Sequence, residues 1–228
     1  MKIDNLTLSF KNKIVLRNIN LSIKPWEFVF FIGYSGSGKT TLIRSIIWDF
    51  KPERWDIVLD NGWFLYRNLT EKLLLDYRRS IGVIFQDYKL MESKSVYENV
   101  AFAMEVCGYK DHQIQKKVPQ TLEQVWLLTK KDTSVQELSG WEKQRVSIAR
   151  ALVHDPAIII GDEPTGNLDP VTAAEIMKIF LDLNKDGKTV ILATHDKNIV
   201  NSMHKRVIVF KDKSIVADHI GWEYNLEF

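Results

Sequence analysis

Gly33-Tyr34-Ser35-Gly36-Ser37-Gly38-Lys39-Thr40 follows the apolar run at 28–32 and precedes a helical pattern over 40–47. Strand, glycine-rich turn and helix form the context in which G-x-x-x-x-G-K-[ST] wraps phosphate oxygens. The glycines let backbone N–H groups converge at a helix N-terminus. Lys39 would reach the outer phosphates and Thr40, followed by Thr41, a magnesium ion. At average composition, a chance match somewhere in a chain of this length is on the order of one per cent.

On the N-terminal side of the loop, apolar residues recur at strand spacing. Ile3, Leu6, Leu8 and Phe10, then Ile14 to Leu16, then Ile19, Leu21 and Ile23 predict antiparallel strands feeding one buried strand. On the C-terminal side, strands are predicted at 56–60 and 81–85, and helices at 96–106, 111–127 and 142–153. The middle third is thus a helical insertion. Short aliphatic runs at 157–161, 189–193 and 206–210, the first two separated by a helical stretch at 171–183, favour a mostly parallel sheet and an α/β fold.

Composition excludes several classes. The 228 residues are 45% hydrophobic and 26% charged, which suits a well-buried core and excludes disordered and collagen-like chains. A formal charge of +2 offers no basic field for nucleic acid. Cys107 is the single cysteine, and Met1-Lys2-Ile3-Asp4 opens no apolar signal region, so a reducing, cytoplasmic setting is expected. No aliphatic run approaches the roughly 20 residues of a membrane helix, so any membrane role is expected to come through a partner.

Two further stretches carry chemistry. Asp162 and Glu163 follow Ala157-Ile158-Ile159-Ile160-Gly161, at the C-terminal end of a predicted buried strand, where open α/β sheets place their ligands. One can hold magnesium while the other activates water. Leu138-Ser139-Gly140-Trp141-Glu142 has the form of a capped helix start, with Ser139 as cap and Glu142 three residues on.

The order of these stretches resembles the ATP-binding cassette (ABC) ATPases over nearly the whole chain. A phosphate loop, Gln86 after a strand, Leu-Ser-Gly-x-Glu, Asp-Glu-Pro-Thr-Gly-Asn-Leu-Asp at 162–169 and Thr194-His195-Asp196 occur in the family's sequence. The resemblance implies a P-loop NTPase (RecA-like) core with an N-terminal antiparallel β subdomain and an inserted α-helical subdomain. One domain would span 1–228, with 1–86 and 156–228 as the core and 87–155 as the helical part. It further implies that Phe10 stacks on adenine, unless it is simply a core residue, and that Gly33, Tyr34, Ser35, Gly36, Ser37, Gly38, Lys39, Thr40 and Thr41 bind phosphate. Gln86 would sense magnesium and the attacking water, Asp162 would support magnesium, Glu163 would be the base and His195 would contact the γ-phosphate. Ser139, Gly140 and the backbone at Trp141 would touch the γ-phosphate held by a second copy, and Asp169 would couple the two sites across an ATP-bound homodimer.

Phe85-Gln86-Asp87-Tyr88-Lys89-Leu90, Thr165-Gly166-Asn167-Leu168-Asp169-Pro170 and Ala193-Thr194-His195-Asp196-Lys197 most resemble the family's cell-division members. Such a protein works on ATP and Mg2+ at the inner face of the cell membrane, beneath a polytopic membrane protein of the FtsX kind. A cytoskeletal division protein is a further expected partner, and nucleic acid is not. An ATPase of a lipoprotein-release or macrolide exporter, or a nucleotide-gated scaffold for division proteins, is the alternative.

The tryptophans depart from the family. Trp141 stands where Leu-Ser-Gly-Gly-Glu has its second glycine, Trp26 where Pro-Gly-Glu is usual, Trp126 where Val-Gly-Leu is frequent, and Trp55 at a turn. Trp48 and Trp63 also fall at turn-like places. With 11 glycines, the chain lies below the average share of about 7%, while its seven tryptophans are many. Sites without room for a Cβ take tryptophan badly. Surface aromatics for partner binding are one account of them. The expectation is instead that UGA codons, glycine in the source, are written here as tryptophan, and that Trp141 impairs catalysis of the chain as written.

Overall fold

The structure, a computed structural model, describes residues 1–10, 13–49, 54–58 and 71–221, with only the backbone of 10, 54–58 and 71. Strands β1 (Lys2–Phe10), β2 (Lys13–Ser22) and β4 (Arg54–Val58) form an antiparallel sheet in the order β2-β1-β4. The second sheet runs β5-β6-β7-β3-β8-β9, built from β3 (Phe28–Ile32), β5 (Ile81–Ile84), β6 (Ile158–Asp162), β7 (Thr189–Ala193), β8 (Arg206–Lys211) and β9 (Ser214–His219). Its strands are parallel except β9, which pairs antiparallel with β8.

Continuous apolar runs make these strands because both faces of the sheet are covered. Phe28, Phe30 and Ile32 of β3 enter one core with Ile159, Val190, Leu192, Val207 and Val209. Val29 and Phe31 enter the other, with Ile158, Ile160, Ile191, Ile208 and Phe210. The alternation has the strand period of two. The first core is shared with the helical insertion, and the second with β1, β2 and α1 (Lys39–Ile46).

The remaining helices are α2 (Glu71–Arg79), α3 (Val96–Val106), α4 (Asp111–Gln124), α5 (Gly140–Leu152), α6 (Pro170–Lys185) and α7 (Lys197–Met203). Three of them, α3 to α5, fill the interval between β5 and β6. The sequence pattern did not reveal α2, whose Tyr77 is buried and donates its hydroxyl to Ile46 O. The helix predicted over 111–127 stops at Gln124, because the backbone turns left-handed at Trp126. The strand predicted at 56–60 lies at Arg54–Val58, with 59–60 outside the described residues. Trp63 and the side chains of Phe10 and Trp55 also lie outside them. No helix among the described residues is long and apolar enough to cross a membrane.

Candidate active site

Parallel register brings four carboxyl-terminal strand ends together. Ile84 pairs with Gly161, Asp162 with Ala193, and Ala193 with Phe31. Gln86, the Asp162–Glu163 pair, His195 and the loop at 33–38 therefore emerge along one edge, although they are spread from position 33 to position 195 of the sequence. All but Asp162, which reaches the site through Thr40, line a cavity of about 610 Å³ formed by Val15, residues 33–41, Gln86, Glu163, His195, Lys197 and Lys213.

The loop is glycine-rich for a steric reason. A Cβ on Gly33 would lie 2.3 Å from Phe210 O, and one on Gly38, at φ 111°, would lie 2.7 Å from Leu16 Cδ2. Ser37 N–H donates to Tyr34 O at 3.1 Å, closing the turn. Lys39 folds back over it, donating Nζ to Gly33 O at 2.7 Å and Tyr34 O at 3.2 Å. Burial pushes the Lys39 ammonium below the ordinary lysine range, against the upward pull of the Glu163 and Asp162 carboxylates. An anion in the cavity would relieve that cost. Ser37 Oγ is buried with no hydrogen-bond partner among the described residues.

Facing the loop, Thr40 Oγ1 donates to Asp162 Oδ1 at 3.2 Å. Burial raises the Asp162 carboxyl above the ordinary aspartate value; the Thr40 hydroxyl opposes this and the Glu163 charge adds to it. Glu163 has φ 50°, rare for this residue type, and its N–H donates to Ala193 O at 2.9 Å. Its Oε1 lies 2.9 Å from His195 Nδ1. Its Oε2 is buried and has no partner among the described residues. One carboxylate oxygen is thus held by the imidazole while the other stays available to accept a proton.

The remaining predicted residues lie elsewhere. Ser139 caps α5, its N–H and Oγ both reaching Glu142 Oε2, at 3.0 and 2.8 Å. Asp169 caps α6, accepting from the N–H of Val171 and Thr172 at 3.0 and 3.1 Å. Ser139, Gly140, Trp141 and Asp169 do not line the cavity. The Trp141 ring lies 4.7 Å from the Arg145 guanidinium carbon, which Trp126 approaches at the same distance. Sequence reasoning missed Val15, Lys197 and Lys213 as lining residues. Lys197 directly follows the Thr194-His195-Asp196 stretch and could have been found; Lys213 lies in the β8–β9 turn, where Lys213 O accepts from Arg17 N–H at 2.8 Å, and had no local signal.

The family model described as ABC transporter matches residues 16–166, two thirds of the chain. The chain belongs to the ABC transporter family. Membership makes it an ATP-binding cassette, an ATPase. Relatives within the family include the cell division ATP-binding protein FtsE of Bacillus subtilis (strain 168), 46% identical over 209 residues that cover 92% of this chain and 91% of that protein. FtsE of Mycobacterium tuberculosis (strain ATCC 25618 / H37Rv) is 41% identical over 227 residues, 99% of this chain and 98% of that one. Among solved structures, the ATP-binding cassette MJ0796, captured as a dimer in a post-hydrolysis state with ADP and Pi, superposes with TM-score 0.86. It is 33% identical, with 98% of this chain and 99% of that chain covered. The α/β architecture predicted from the sequence, with its antiparallel and helical additions, is that of this cassette fold.

Proposed function

We propose that the chain binds Mg-ATP in this cavity and hydrolyses it between two copies of itself, driving a membrane protein of the division machinery. The observation that carries this is Glu163: one oxygen is engaged by His195, while the other is buried and unpartnered. A general base needs such a free acceptor for the proton of water. Residues 33–41 cradle the phosphates, and the Lys39 ammonium exchanges the Gly33 and Tyr34 carbonyls for phosphate oxygens. His195 orients Glu163 beside the γ-phosphate. Gln86 positions the attacking water from the end of β5, and Phe10 supplies the ring for adenine.

The donor set fits magnesium. The Thr40 hydroxyl and Asp162 carboxylate are adjacent hard oxygen ligands, with the Gln86 amide on the same edge. Magnesium, when bound, supplies neutralisation of the charge on the transferring phosphoryl group.

The similarity to the dimeric cassette MJ0796 supports a head-to-tail homodimer, in which each copy offers Ser139, Gly140, residue 141 and Asp169 to the other's nucleotide. Residues 1–86 and 156–228 act as the nucleotide-binding core and 87–155 as the helical subdomain that meets the membrane partner. The similarity to FtsE supports an FtsX-like polytopic partner, a cytoskeletal division protein as a further contact, and a peripheral place on the inner face of the membrane.

Glu163→Gln preserves shape and removes the base. It should trap an ATP-bound dimer on size exclusion and lower turnover by about 10²- to 10⁴-fold. A monomeric profile with nucleotide bound would overturn the dimer, and undiminished turnover would remove Glu163 as the base. Pull-down from solubilised membranes reads the partner. Recovery of an exporter permease in place of a division protein would redirect the assignment.

A further inference from the structure

Four helices end in the same backbone device, two around glycine and two around tryptophan. After α3, Gly108 (φ 77°) donates its N–H to Glu105 O at 2.9 Å, and Tyr109 donates to Met104 O at 3.1 Å. After α6, Gly187 (φ 84°) donates to Asn184 O and Lys188 to Leu183 O, both at 3.1 Å. This pair of bonds satisfies the last carbonyls of a helix by passing the chain through a left-handed residue, usually glycine. After α1, the same pair surrounds Trp48 (φ 62°), which donates to Ser45 O at 3.0 Å while Asp49 donates to Arg44 O at 2.8 Å. After α4 it surrounds Trp126 (φ 56°), with bonds to Glu123 O at 3.0 Å and from Leu127 to Leu122 O at 2.8 Å.

Trp26 (φ 65°) occupies a different motif with the same demand. Lys24-Pro25-Trp26-Glu27 is a turn closed by Glu27 N–H on Lys24 O at 3.4 Å. Proline second and a left-handed residue third is the type II pattern, whose third place calls for glycine. The main chain of residue 26 is in use, its N–H donating to Thr189 Oγ1 at 3.0 Å and its O accepting from Asn184 Nδ2 at 2.8 Å. The residue as a whole is 71% exposed. Asn5, Asn18, Asp155, His204 and Asp212 also have positive φ, as their types tolerate, and Tyr88, Lys89, Glu163 and Lys213 share it; what sets 26, 48 and 126 apart is a tryptophan in the place that a helix-ending or type II turn reserves for glycine. Positions 26, 48 and 126 are three of the five tryptophans among the described residues, the others being 55 and 141. The rings of Trp126 and Trp141 do lie on Arg145, but Glu175 Oε2 at 2.6 Å and Val125 O at 3.3 Å already hold that guanidinium.

We infer that residues 26, 48 and 126 are glycine in the protein as its source makes it, and that UGA, translated there as glycine and written here as tryptophan, is the single cause. Composition agrees, since counting the seven tryptophans as glycines brings a low glycine share to the average. The same cause places glycine at 141, the second residue of α5.

Two measurements decide it. The gene and tryptic peptides of the protein isolated from its source should show UGA and glycine masses at 26, 48 and 126; UGG codons or tryptophan masses overturn the inference. In the recombinant chain as written, Trp48→Gly and Trp126→Gly should each raise Tm by about 2 to 4 °C, the shift expected from relieving one left-handed side chain in a domain of this size. Trp48→Ala and Trp126→Ala retain a Cβ and should gain less. Alanine variants that match the glycine ones, or glycine variants that melt lower than the chain as written, refute the conformational argument.

Discussion

Lys39 shows how a side chain can be prepared for a ligand. It is 7% exposed and is held by two carbonyls of its own loop. Burial disfavours its charge, so phosphate oxygens, which are stronger partners than carbonyls, would stabilise it. Lys39→Ala removes that point charge while leaving the glycine-rich turn in place. ATP affinity should fall about 10- to 150-fold, the worth of one hydrogen bond to a charged group. Titration with a fluorescent ATP analogue measures it, and unchanged affinity would mean that the ammonium does not reach the nucleotide. Glu163, with its left-handed φ, belongs to the same scale: an unfavourable backbone conformation is tolerated where it aims a carboxylate at the His195 imidazole.

At the scale of an element, α5 depends on how its first turn is closed. Glu142 is 5% exposed, accepts from the Ser139 N–H and hydroxyl and pairs with Lys130. Burial pulls its carboxyl upward, but the Lys130 ammonium and the Ser139 donors outweigh it and hold it below the ordinary glutamate value. A lowered folded-state pKa contributes stability that is complete above the unfolded value, about 4.3, and is lost as pH falls through the folded one. Glu142→Gln should therefore cost about 1 to 3 kcal/mol at pH 7. The deficit should narrow below about pH 4. Urea unfolding of both forms at pH 7 and pH 3.5 tests this; a deficit equal at the two values would show that charge is not what the turn uses. The other helix ends are read differently by sequence and structure. Periodicity carried α4 to 127, whereas the left-handed residue at 126 ends it at Gln124.

For the whole molecule, the exposed N-terminal turn of α5 matters because it does not line the cavity of its own copy. Trp141 is 37% exposed there with its ring against Arg145, and in a head-to-tail dimer that bulk would lie at the interface. Overpacking costs about 1 to 3 kcal/mol per site, and a symmetric dimer contains the site twice. Trp141→Gly should raise steady-state turnover most at low protein concentration, with little change in ATP affinity. Equal turnover in both forms would show that the interface accommodates the ring. What the sequence alone determined was local: a phosphate loop between a buried strand and a helix, carboxylates after a second apolar run, a capped helix start, and tryptophans in glycine's places. Each depends on neighbours within a few positions, where hydrophobic period and motif chemistry are expressed directly. Only the tertiary structure decided that Gln86, Glu163 and His195 share one edge, that Val15, Lys197 and Lys213 join the wall, and that Ser139 and Asp169 do not. Those placements follow from strand register, with Ile84 beside Gly161 and Asp162 beside Ala193, which is set by packing between segments far apart in the chain and leaves no local trace in sequence.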